Sequence, residues 1–155
     1  ILWKSVPYDT YWPADSYPLS YKIREKTSNI ILMRLADILL LKAEALVELD
    51  RTPEAIRIVN SIRERAGFAP SSLDENMGQA RGRLAVENER QLELYMEGQR
   101  WFDLVRNNRL LEVMQKHKDK DGRLLFAGLQ AFRQLWPIPQ GEKDKNTNLT
   151  QNEGY

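Results

Sequence analysis

From Asn29 to Leu49 apolar residues return at helical spacing, and four residues later the chain restarts with the same period. Ile30, Ile31, Leu35, Ile38, Leu39, Ala43, Leu46 and Leu49 form the first stripe, which predicts one long helix. Asp50-Arg51-Thr52-Pro53 breaks it. Thr52 is suited to cap the next helix, with Pro53 at the first helical position, where a missing N–H costs nothing. Ala55, Ile56, Val59, Ile62 and Ala66 carry a second stripe, and Gly67 follows as a left-handed C-cap. Residues 29–67 therefore read as a helical hairpin of tetratricopeptide-like size. Its apolar faces need neighbours, and no second copy occurs within the chain.

On either side the signals differ. Residues 1–28 hold Trp3, Tyr8, Tyr11, Trp12, Tyr17 and Tyr21 among Pro7, Pro13 and Pro18, an aromatic, loop-rich lead-in. Tyr21-Lys22-Ile23 suits a short strand, while the prolines argue against a long one. Gly67 to Gln79 reads as a loop, Leu84 to about Met96 as a third helix, and Gln99 to Arg106 as a further turn or two with a break at Gly98. Leu110, Leu111, Val113 and Met114 suggest a short helix, and Asp121-Gly122 a tight turn. Trp136-Pro137-Ile138-Pro139 cannot be helical, since each proline drives its predecessor toward extended backbone. Gln140 to Tyr155 is polar and reads as a surface wrap. The expected fold is mainly α: a helical hairpin, further helices over 80–155, and long ordered loops.

Composition removes several chemistries. There is no cysteine and a single histidine, so thiol nucleophiles, disulfides, zinc ribbons and two-histidine sites have no candidates. His117 lies in the charged run Lys116–Lys120, where a solvated surface residue is the plain reading. With 23 basic and 22 acidic residues, there is no electrostatic case for nucleic acid. No stretch reaches the roughly 18 apolar residues of a spanning helix, Arg34, Asp37 and Lys42 breaking the strongest run. The start, Ile1-Leu2-Trp3-Lys4, has neither Met nor a signal-peptide pattern. The chain thus reads as a piece of a longer protein, with any lipid anchor outside it.

Candidate motifs meet their simplest explanations. Glu89, Glu93 and Glu97 resemble paired glycosidase acids only in composition, because carboxylates four apart on one helix do not face each other across a substrate. If the run to Arg106 stays helical, Arg90–Glu93, Glu97–Arg100, Arg100–Asp103 and Asp103–Arg106 are pairs three apart on a solvated face. Lys118-Asp119-Lys120-Asp121-Gly122 fails as a calcium loop, because His117 and Gly128 stand at the first and closing ligand positions. Asn148-Leu149-Thr150 fits the N-glycosylation pattern, too short to carry weight. The lead-in offers a carbohydrate platform: Tyr8, Tyr11, Trp12 and Tyr17 supply flat faces for sugar C–H surfaces, with Asp9, Asp15 and Ser16 as hydroxyl partners. The competing reading packs those rings as loop anchors.

Three segments in order resemble the C-terminal region of the SusD/RagB family. The first runs from Arg34 to Ala45 through Glu44, followed by Asn60-Ser61-Ile62-Arg63-Glu64-Arg65-Ala66-Gly67. The second joins Glu89-Arg90-Gln91-Leu92-Glu93-Leu94 to Glu97-Gly98-Gln99-Arg100-Trp101-Phe102-Asp103-Leu104-Val105-Arg106. The third is Leu135-Trp136-Pro137-Ile138-Pro139 with Glu142, Asn146, Leu149, Gln151-Asn152 and Gly154-Tyr155. Asp37 stands where the family usually has Glu, and Gln91 where a second Arg is common. The resemblance implies an α-helical, non-enzymatic, cofactor-free protein that captures oligosaccharides or polysaccharides at the bacterial surface. It implies an outer-membrane, lipid-anchored location and a SusC-like TonB-dependent transporter as partner. It also makes the Glu/Arg run a partly buried network joining helices. The alternative class is a helical protein-interaction module that binds no sugar.

Overall fold

The computed structural model describes residues 3–7 and 16–20 as backbone strands, and residues 31–119 and 121–155 in full. The chain divides into two compact units, Ile1–Asp103 and Leu104–Tyr155.

In the first unit, β1 (Trp3–Pro7) and β2 (Ser16–Ser20) pair antiparallel, Trp3 opposite Ser20 and Pro7 opposite Ser16. Pro7 and Pro18 are tolerated because each strand of a two-stranded ribbon is an edge. The strand expected at Tyr21–Ile23 lies outside the described residues. Helix α1 (Leu35–Glu48) starts later than the apolar period suggests: Ile31 to Met33 are exposed and non-helical, and Arg34 is extended. Helix α2 (Thr52–Arg65) follows at once.

The turn between them closes by a Schellman pattern. Asp50 N–H donates to Val47 O and Arg51 N–H to Leu46 O, with Asp50 at φ 60°. The same pattern ends α2, where Gly67 N–H donates to Glu64 O and Phe68 N–H to Arg63 O, with Gly67 at φ 97°. Thr52, expected as the cap, is a correction: it lies inside the helix, buried, and its hydroxyl has no partner among the described residues. Its methyl instead meets α3 (Gln79–Glu93) at Gly82, where an added Cβ would stand 2.7 Å from Thr52 Cγ2.

The core of this unit is the seam of these three helices. Leu40, Ala43, Leu46 and Val47 of α1 meet Ala55, Val59 and Ile62 of α2 and Val86 of α3. Burying each of the leucine, isoleucine and valine side chains among them stabilises by about 1.5–3 kcal/mol. Helix α3 starts at Gln79, within the segment read as loop, and stops at Glu93 rather than Met96. Met96 at φ 65° and Gly98 at φ 76° then turn the chain before α4 (Arg100–Arg106). The run from Glu89 to Arg106 is therefore two helices.

The second unit begins within α4, which closes at Asn108 with φ 55°. Helix α5 (Leu110–Met114) follows, with Leu110 buried. Lys118 bridges Leu124 around a turn in which Gly122 N–H donates to Asp119 O. A 3-10 turn (Ala131–Gln134) leads to the extended Leu135–Pro139 segment. Beyond it, α6 (Gln140–Lys145) is a helix the polar sequence did not announce. It buries no residue and is supported by Gln140–Asp144 and Lys145–Glu142 contacts one turn apart.

Candidate functional site

Tyr8, Tyr11 and Trp12 lie outside the described residues, and Tyr17 is placed only as backbone in β2, opposite Val6. Among the described residues, the densest chemistry sits on the helices.

Arg90 is its centre. Its Nε lies 3.0 Å from Asp103 Oδ2 on α4 and its Nη1 2.9 Å from Asp37 Oδ1 on α1, and all three side chains are buried. One guanidinium thus ties three helices, a fork geometry that lysine cannot supply. Arg34, just before α1, reaches the other way: its Nε lies 2.9–3.0 Å from both Glu97 oxygens, while its terminal nitrogens donate to the Glu93 carboxylate and backbone carbonyl. Arg65 at the end of α2 shares Glu93 at 2.6 Å, Arg63 holds Glu89 at 3.0 Å, and Arg100 meets Glu87 at 3.1 Å.

Burial pushes the Glu93 carboxyl up, but the guanidinium bonds of Arg65 and Arg34 outweigh it and hold it below the usual carboxylate range. For Glu89 burial wins over Arg63, and its pKa is raised.

The structure thus brings Arg34, Arg63, Glu89, Arg90, Glu93, Glu97, Arg100 and Asp103 into inter-element contacts. For Arg90 the pairing differs from the spacing: it takes Asp103, thirteen residues on, across the turn at Met96 and Gly98. Asp37 and Glu87, absent from the sequence-derived set, are acceptors in the same network. Their signal was faint, a lone acid on an apolar stripe and a glutamate in a glutamate-rich run. Glu44 is half-buried on α1 and Arg106 ends α4.

In the second unit, the Leu135–Ile138 backbone is clamped by side chains from the chain end. Gln151 accepts from Ile138 N–H and donates to Ile138 O, Asn152 donates to Trp136 O, and the Tyr155 hydroxyl donates to Leu135 O. Between Pro137 and this clamp, Trp136 stands 84% exposed.

A third arrangement went unseen in the sequence. Residues three apart on α2 fasten the loop before α3. Arg57 pairs with Glu75 at 2.9 Å, Asn60 exchanges two bonds with the Leu73 backbone, and Arg63 Nε donates to Ser72 Oγ at 2.7 Å. The pinned loop and α3 enclose a cleft of about 280 Å³. Leu73, Met77, Leu84 and Ala85 line it, with polar groups at its edge. Among the described residues, no cluster of three His, Cys, Asp or Glu suits a metal ion, and no helix is long and apolar enough to cross a membrane.

Comparison with known proteins agrees with this architecture. The SusD family model matches residues 8–155. SusD-like protein P38 of Formosa agariphila is 40% identical over 135 residues, covering 83% of this chain and 25% of its own length. Starch-binding protein SusD of Bacteroides thetaiotaomicron is 29% identical over 142 residues, 92% of this chain and 24% of that protein. Among solved structures, a SusD homologue from Bacteroides thetaiotaomicron superposes with a TM-score of 0.63 at 28% identity, covering 79% of this chain and 26% of that one. A putative sugar-binding protein from Bacteroides vulgatus gives 0.62 at 29% identity, covering 84% and 31%. The chain spans about a quarter of the length of the relatives it matches.

Proposed function

The chain belongs to the SusD family, and from that premise we propose that it forms part of a non-catalytic protein that captures oligosaccharides at the bacterial surface. The observation that carries this reading is its similarity, over 92% of its length, to a relative named for starch binding. The helical geometry supports binding over turnover. Glu89, Glu93 and Asp103 are each engaged by arginines, so the raised Glu89 has no second, arginine-free carboxylate among these facing it across a substrate, as a glycosidase needs. Tyr8, Tyr11, Trp12 and Tyr17 are the proposed sugar platform. Delivery to a SusC-like TonB-dependent transporter, and a lipid anchor in the outer membrane, complete the proposal.

A second reading, a helical protein-interaction module without sugar binding, is favoured by one observation. Leu35, Ile38, Leu41 and Leu49 are exposed along α1, an apolar strip of the kind that protein partners cover.

Calorimetry and affinity electrophoresis against a panel of neutral oligo- and polysaccharides, with product analysis on the same samples, test the proposal. The expected result is saccharide binding without cleavage, lost in Trp12→Ala. Cleavage overturns the non-enzymatic reading, and no binding across the panel transfers the weight to the interaction module.

A further inference from the structure

The cleft between the pinned loop and α3 holds a cation that no acid among the described residues neutralises. From Arg34 to Arg100, each arginine except Arg81 has a carboxylate within ion-pair distance. Arg81 donates only through Nε, to Met77 O at 2.9 Å. Its terminal nitrogens have no carboxylate among the described residues. Arg81 and Asn88 line the same cleft, two helical turns apart on one side of α3. The Asn88 carboxamide makes no hydrogen bond among the described residues. Arg63 and Glu89 are there too, but they neutralise each other at 3.0 Å, so the unbalanced charge of the cleft is positive.

Its shape is set before any ligand arrives. Asn60, Arg57 and Arg63 fix the loop backbone along α2, and Arg63 is itself held, its guanidinium stacked 4.4 Å from the Phe68 ring centroid. The ligand that matches has a small body with one apolar face, a carboxylate, and hydroxyls that can both donate and accept. A carboxylate takes two parallel bonds from the Arg81 terminal nitrogens. Asn88 offers a donor and an acceptor to a hydroxyl, and Met77 and Leu84 present an apolar surface to ring C–H groups.

We propose that this cleft is a subsite for a single acidic sugar unit, a hexuronate, with Arg81 on its carboxylate, Asn88 on a ring hydroxyl and Met77 and Leu84 under the ring. The choice of a sugar over other small carboxylates rests on the glycan-capture reading above. The position and charge preference rest on the cleft alone.

The test is a titration of the ¹⁵N-labelled full chain with D-glucuronate, D-glucose and acetate at constant ionic strength, followed by side-chain and backbone NMR shifts. The expected result is saturable movement of the Arg81 and Asn88 side-chain signals with glucuronate. Glucose, acetate, and glucuronate against Arg81→Gln should each bind at least about tenfold more weakly, the loss of one charge-assisted pair or of the ring contacts. Arg81→Gln alters an exposed side chain, and an unchanged spectrum elsewhere verifies its fold. Equal affinity for glucose, equal affinity for acetate, an unaffected Arg81→Gln, or no saturation each overturns the subsite. The neutral-glycan panel separates this from the broader reading. Neutral oligosaccharide binding with no glucuronate response removes only the subsite, while glucuronate binding at Arg81 with no neutral glycan bound keeps it and removes the aromatic platform.

Discussion

Arg90 and Asp103 meet with 3.0 Å between Nε and Oδ2, each side chain 3% exposed, and the other arm of the same guanidinium reaches Asp37. A charge this deeply buried is tolerable only while both acids face it. Truncation to Arg90→Ala removes the guanidinium that two buried carboxylates share, so the expected loss is about 3–5 kcal/mol. Urea denaturation measures it. A loss below about 1 kcal/mol, the range of exposed pairs, would show that the triad is not what ties α1 and α4 to α3.

Gly82 tests a different constraint. A Cβ there would stand 2.7 Å from Thr52 Cγ2 and 3.5 Å from Val47 Cγ2, both in a packed seam. Gly82→Ala gains helix propensity of about 1 kcal/mol but overpacks the crossing at about 1–3 kcal/mol, so a net destabilisation is expected. Thr52→Ser removes the offending methyl, and the double variant should recover part of the loss. A thermal double-mutant cycle reads that coupling, and additive effects would mean the two residues do not limit each other's approach.

The hairpin was legible because its punctuation is chemical. Pro53 and Gly67 announce a restart and a stop, and the apolar period between them matches the buried face of α2. The start of α1 is hidden in the sequence because Ile30 to Met33 continue the apolar pattern. Arg34 is instead extended, its side chain engaged with Glu93 and Glu97. The beginning of α3 leaves no sequence signal because Gln79–Arg83 has no apolar stripe, and Gly82 looks like a breaker until Thr52 is set against it. The partner of Arg90 is hidden for a related reason. Spacing of three suggests Arg90–Glu93, but Met96 and Gly98 at positive φ turn the chain so that Arg90 meets Asp103 instead. The cleft depends on α2 fastening a loop nine to eighteen residues ahead, and no local pattern encodes that.

The two glutamates of the network predict opposite pH slopes. The folded-state pKa of Glu93 is held below the 4.5 of an unperturbed glutamate. Its contribution is therefore fully present above pH 4.5 and is lost as pH falls through the folded value. Glu89 is raised above 4.5. Between 4.5 and its folded value the native state keeps a proton that the unfolded chain has released, so stability falls as pH rises through that window. Urea titrations between about pH 3 and 7 should show Glu93→Gln flattening the acid limb and Glu89→Gln flattening the decline above it. Acid limbs that coincide for wild type and Glu93→Gln would count against the Arg34–Glu93–Arg65 linkage.

On the outer side of α1, the apolar residues at its two ends lie largely in solvent. Leu35 is 73% and Leu49 68% exposed, whereas Leu40, between them on the helix, is fully buried in the seam. Leu40→Ala should therefore cost about 2–5 kcal/mol. Replacing Leu35 by Glu and Leu49 by Lys places an acid at the first turn of α1 and a base just past its last, in accord with the helix dipole. That double variant should leave stability within about 0.5 kcal/mol of wild type. The strip should instead drive concentration-dependent association of the chain, since exposed contiguous apolar surface seeks cover. Sedimentation velocity over a concentration series should show association in wild type and its weakening in Leu35→Glu/Leu49→Lys. Association of equal strength in both would place the sticky surface elsewhere, and a large stability loss in the variant would mean that the two leucines pack within the unit after all.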